Sequence, residues 1–204
     1  MTQNETPSRT RLLLAGKKLF SESGYEATST ASIARLAGTS ESQLIKHFSG
    51  KAGLLDTIFS EGWACVTAEL QKHLPQELSA RERIRRIPTL MFEVLKQDPE
   101  LRQLMLLEGR RIRKEGRTMT VTDGFVGLVD LIDSTLEEMS SLGQLNTTIQ
   151  RQSVTSAMVG LTESALRDQV LAERAGIPSV FSVEDVGKLL EALISTVTVQ
   201  TATS

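Results

Sequence analysis

The chain is poor in the residues that staple or anchor a small protein. Its 204 residues include one cysteine, Cys65, which can close no intrachain disulfide, so a stapled secreted domain is excluded and a reducing cytoplasm is the expected setting. No run of 18 apolar residues occurs, and the stretch MTQNETPSRTR lacks the apolar centre of a signal peptide, so neither a membrane span nor an export signal is expected. Histidine is nearly absent. His47 and His73 fall on different segments and Cys65 has no partner visible in the sequence, while Asp130, Asp133 and Glu137 recur at the spacing of a solvated helix face. No glycine-rich loop leads into Lys-Ser/Thr. Enzymatic chemistry, a metal and a cofactor are therefore not expected.

An excess of charge of one sign is also missing, since 23 basic and 25 acidic side chains leave a net charge of −2. The charge is unevenly spread. Residues 1–51 hold seven basic side chains (Arg9, Arg11, Lys17, Lys18, Arg35, Lys46, Lys51) against four acids (Glu5, Glu22, Glu26, Glu41), a balance of +3 that leaves −5 for the remaining 153 residues. A locally positive end on an acidic body suits phosphate attraction, because the local potential is what a polyanion meets. The densest basic run, Arg110-Arg111-Ile112-Arg113-Lys114 with Arg117, reads first as a solvated helix end and second as a contact for DNA or an acidic ligand.

What is present is the composition of an ordinary globular protein, 40% apolar and 24% charged, long enough to bury a substantial core. Apolar residues recur at three- and four-residue steps in every segment, and sustained period-two alternation is missing, so the chain reads as all-α. The expected helices span about Ser8 to Ser23, two short segments within residues 29–49, about Lys51 to Leu74, a helix capped by Ser79 and Glu82 and bent at Pro88, one opened by Asp98-Pro99, roughly Thr122 or Asp123 to Ser141, about Thr147 to Arg174, and one capped by Ser182 and Asp185.

The stretch STASIARLAGTSESQLIKHFSGK, residues 29–51, is the most informative. Ser29 and Ser40 each suit a helix start, Gly38 suits a reversal between them, and Leu44 and Phe48, four apart, turn Glu41, Ser42, Gln43, Lys46 and His47 outward. Two helices crossing at a glycine turn form either a helix-turn-helix, whose second helix enters the major groove of DNA, or an ordinary helical hairpin.

The order of parts, with Gly24-Tyr25, Thr28-Ser29, Ile33-Ala34, Ala37-Gly38, Ser40, Leu44, Phe48 and Lys51-x-x-Leu54-Leu55, resembles the TetR (tetracycline repressor) family of transcriptional regulators. The resemblance covers about 50 residues and implies a helix-turn-helix DNA-binding domain at 1–51 and a helical ligand-binding and dimerisation domain at 52–204. It implies a homodimer on a palindromic double-stranded DNA operator, with Thr28, Ser29, Thr30, Gln43, His47 and Lys51 at phosphates and Glu41, Ser42, Ile45 and Lys46 facing bases. Glu41 then either accepts from a cytosine amino group or merely complements the helix start with its charge. Ile45 and His47 stand where the family often carries tyrosine, and Ala31 where it sometimes carries a base-reading arginine.

A small, largely apolar effector is the other partner implied, in a pocket for which Met91, Phe92, Met105, Phe125, Met158 and Thr162 are candidates, with Glu163 the nearby polar group. Dimer pairing is expected through the last two helices, at Val154, Met158, Leu161, Ala165, Leu189, Leu190, Leu193, Ile194 and Val197. Two other readings stand beside this ligand-responsive repressor: a helical protein–protein adaptor that has lost DNA binding, and a ligand-binding protein with no regulatory output.

Overall fold

The computed structural model of the chain describes residues 7–108, 122–146 and 148–198. Those residues form nine helices: α1 (Ser8–Ser23), α2 (Thr30–Leu36), α3 (Glu41–Phe48), α4 (Lys51–His73), α5 (Ala80–Lys96), α6 (Pro99–Glu108), α7 (Asp123–Ser141), α8 (Arg151–Ala175) and α9 (Val183–Val197). An isolated bridge between Leu145 and Thr198 is the one departure from helix and turn among them. The all-α expectation holds. The basic run at 110–117 lies outside the described residues.

Local chemistry sets most helix ends. Ser29 and Ser32 form a reciprocal capping box, as do Ser79 and Glu82; Ser40, Asp98 and Ser182 accept the amides of Gln43, Leu101 and Asp185. Each such cap is worth about 1 kcal/mol. α8 starts at Arg151, later than its apolar periodicity predicts, because Asn146 Oδ1 accepts both the amide and the hydroxyl of Thr148 and holds the preceding chain in a turn. α5 runs on through Pro88, which is buried.

The chain divides into two compact units, Met1–Gly62 with Asp98–Gly124, and Trp63–Gln97 with Phe125–Ser204. In the first, α1 packs against α2, α3 and α6 around Leu12, Phe20, Ile33, Leu44, Phe48, Leu54 and Phe59, all buried. Each such side chain contributes roughly 1.5–3 kcal/mol of apolar burial. Lys17 pairs with Asp98 and Arg9 with Glu61. In the second unit α5 packs on α8 and α9, and α8 on α9, around Ile84, Leu95, Val154, Val170, Leu190 and Ile194. Arg83, also buried, donates to the Leu78 carbonyl and pairs with Glu138, so its charge is compensated.

Candidate nucleic-acid interface

The turn between α2 and α3 explains how two short helices hold a fixed angle. Gly38, at φ +61°, reverses the chain while its amide bonds the Arg35 carbonyl at 3.2 Å and the Thr39 amide bonds that of Ala34 at 3.0 Å. This double closure needs a left-handed residue, which glycine supplies without steric cost. From outside, Arg11 of α1 donates to the carbonyl of Ala37 at 2.9 Å. Sequence separation hid that clamp.

Of the residues expected to contact DNA, those on α3 line its outer side, and two from neighbouring segments turn inward. Glu41, Ser42, Ile45, Lys46 and His47 are exposed, and Gln43 is half-buried. Ile45 is 60% exposed, an apolar side chain held in water on the outer face. Glu41 accepts from the Thr30 hydroxyl at 2.5 Å, which ties the first turn of α3 to the first turn of α2. His47 Nε2 lies 3.2 Å from the Ser8 hydroxyl and Ser42 Oγ 2.8 Å from Ser40 Oγ.

Thr28 and Lys51 are the two that turn inward. Thr28 is buried, and its hydroxyl lies within reach of the carbonyls of Gly24, at 2.7 Å, and Leu19, at 3.2 Å, so the side chain holds the α1–α2 connection rather than facing outward. Lys51 points its ammonium at the carbonyls of Tyr25 and Thr28, at 2.9 and 3.1 Å, and over the Tyr25 ring at 4.2 Å. Both lock the loop that presents Ser29 and Thr30. The first turn of α4 also passes so close to α3 that a Cβ on Gly53 would collide with the Phe48 carbonyl.

In the second unit a small, mostly apolar cavity is walled by Trp63, Ile87, Pro88, Met91, Phe125, Leu128, Ile132, Met158, Val159, Thr162 and Glu163. Its free volume is about 10 Å³, room for roughly one water. Four of the six residues predicted for a pocket, Met91, Phe125, Met158 and Thr162, meet there. Phe92 does not, because one residue along α5 rotates the side chain by about 100°, and Met105 belongs to the first unit. Trp63 and Phe125 stand edge to face, ring centroids 5.2 Å apart. The Thr162 hydroxyl is occupied with the Met158 carbonyl at 2.8 Å.

Residues 12–58, which contain the whole helix-turn-helix, match the family of bacterial regulatory proteins, tetR family. FadR of Bacillus subtilis in complex with stearoyl-CoA superposes with a TM-score of 0.78 at 19% identity, covering 92% of this chain and 98% of that one. The helix-turn-helix segment is that of the tetR family. SmeT, the repressor of the Stenotrophomonas maltophilia multidrug efflux pump SmeDEF, shares the fold at a TM-score of 0.74 and 19% identity over 96% of this chain and 92% of its own. The fatty acid metabolism regulator protein of Bacillus subtilis strain 168 is 21% identical over 143 residues, 70% of this chain and 73% of its length.

The chain thus carries a tetR-family helix-turn-helix over residues 12–58 on a fold shared with FadR and SmeT. Its expected pairing residues need correction. Val154, Met158, Ala165, Leu190, Ile194 and Val197 are buried in the protomer's own core, Leu161 and Leu193 are half-buried, and only Leu189, at 49%, is exposed. The broadest apolar stripe of a bundle helix goes to its intramolecular neighbours, here α5, α8 and α9 packed on one another. The small and apolar side chains that α8 and α9 leave in water form a narrower set, with Ala157, Ser164 and Leu171 on α8 and Leu189 and Ala192 on α9.

Proposed function

We propose that the chain acts as a homodimeric, ligand-responsive repressor on a palindromic operator, with residues 1–51 as its DNA-binding domain and residues 52–204 as its ligand-binding and dimerisation domain. The observation that carries this reading is the outer face of α3, where Glu41, Ser42, Ile45, Lys46 and His47 stand exposed on a scaffold locked by Arg11, Gly38 and Lys51. Ser29, Thr30, Gln43 and His47 are the phosphate contacts; phosphate contacts fix register, and Lys46 with the side chains of Glu41, Ser42 and Ile45 meets base edges. Ile45 suits a thymine methyl. Thr28 and Lys51 serve by position rather than by touch.

The cavity is the effector site, and α4 is the lever. Trp63 on the cavity wall and Lys51 beneath the DNA-binding loop belong to the same helix, so a ligand that displaces Trp63 biases the helix that sets the recognition surface. Repression is released because only one separation of the two α3 helices, about 34 Å, satisfies both half-sites. The walls are apolar apart from Thr162 and Glu163, and the stearoyl-CoA bound to FadR supports an apolar body for the effector.

The test is an electrophoretic shift with the DNA upstream of the chain's own gene. The double variant Lys46→Ala, His47→Ala is expected to bind at least about tenfold more weakly at fixed salt, with a shallower fall of log K against log salt and an unchanged Tm. Binding indistinguishable from wild type would sink the assignment of α3.

A further inference from the structure

Among the described residues, the wall of the cavity bears one charged side chain, Glu163, and no basic one. The same wall carries the rings of Trp63 and Phe125 and the side chains of Met91 and Met158, with Trp63, Met91 and Met158 all buried. The countercharge acting on Glu163 is Arg167, one turn further along α8 and exposed. Burial holds the Glu163 carboxyl above its ordinary range, and Arg167 opposes that shift. An anion placed in this cavity would meet a like charge already stripped of much of its water. A neutral occupant would cover the carboxylate and leave it unpaired. A cation answers both costs, because it neutralises the carboxylate and is attracted to the faces of the aromatic rings.

We propose that this cavity takes a lipophilic cation, an apolar body carrying a quaternary or delocalised positive charge, and that Glu163 is the residue that discriminates against anions. The proposal rests on the reading of the cavity as the effector site. The free volume is too small for such a ligand as it stands, so entry requires side chains to move. Met91 and Met158, unbranched and flexible, are the groups placed to yield.

Trp63 is the only tryptophan in the chain, so its fluorescence reports this cavity alone. The intact protein is titrated with tetraphenylphosphonium and with tetraphenylborate, ions of the same shape and opposite charge. The phosphonium is expected to bind at least about tenfold more tightly than the borate. Glu163→Gln should bring the two within about twofold, chiefly by weakening the phosphonium, while Arg167→Ala, which leaves the cavity wall intact, should widen the wild-type ratio. Borate binding equal to or tighter than phosphonium binding in the wild type overturns the charge assignment and leaves the cavity a ligand site. A Trp63 signal that saturates with neither ion overturns the proposal together with the effector-site reading.

Discussion

Thr28 is 3% exposed, with its hydroxyl between the carbonyls of Gly24 and Leu19, and this makes it a residue whose removal is read in stability. Thr28→Val keeps the shape and deletes the hydroxyl, so the expected loss is about 1–2 kcal/mol, a fall in Tm of a few degrees on thermal denaturation. A variant with unchanged Tm and lost DNA affinity would return Thr28 to the phosphate. Thr28 shows where reading residues one at a time runs out. A hydroxyl beside a helix start has the same letters whether it faces solvent or the carbonyls of the preceding helix, and the Leu19 contact spans nine residues. Lys51 is the same case at longer range, its carbonyl partners lying 23 and 26 residues upstream. Glu41, Ser42, Ile45, Lys46 and His47 were legible because a short helix with one buried stripe at Leu44 and Phe48 leaves no other place for them.

Among the elements, the connection from α8 to α9 depends on a single carboxylate. Asp168 accepts from the Ser179 hydroxyl and from the amides of Val180, at 2.8 Å, and Phe181, at 3.3 Å. The Ser179 bond holds this carboxyl below the ordinary aspartate range, opposed by desolvation and assisted by the amides of Phe181 and Val180. A depressed folded-state pKa means that the charged clamp stabilises above the unfolded value and is lost as pH falls through the folded one. The difference in Tm between wild type and Asp168→Ala is therefore expected to be constant near neutrality and to shrink once the pH drops below about 3.9. Hydrogen exchange at Val180 and Phe181 checks the location, since both amides should lose protection in the variant. A Tm difference that grew on acidification would have the wrong sign. Helix ends were legible where a serine at the start caps an amide three residues on, as at Ser79 with Glu82 and Ser182 with Asp185. They were misread at the start of α8, where the apolar period continues past the turn that Asn146 imposes.

The proposed pairing is a property of the whole molecule, and it follows from what each protomer leaves uncovered. On α8 the exposed positions Ala157, Ser164 and Leu171 recur every seven residues with the half-buried Leu161 and Asp168 between them, the spacing of a helix seam that meets another helix. Leu171 is 53% exposed and Leu189 on α9 is 49% exposed, while the short side chains of Ala157 and Ser164 permit close approach. A sequence period cannot separate this seam from the broader stripe at Val154, Met158 and Ala165, because both recur at helical spacing and only packing decides which is already covered. Two copies joined by this seam form an isologous interface, so one substitution acts twice. Position 164 is exposed in the protomer, so Ser164→Arg should leave helicity and Tm of the isolated fold nearly unchanged, yet sedimentation should find a monomer. Operator affinity should then fall about a hundredfold or more at constant salt, because the paired half-site contacts are lost and mainly phosphate attraction remains. Met158→Arg, at a position 1% exposed, provides the contrast: it introduces an unpaired charge into the core and should unfold the second unit rather than dissociate a dimer. A dimer that survives Ser164→Arg would move the pairing surface off this seam, and the α3 separation would have to be set by another face.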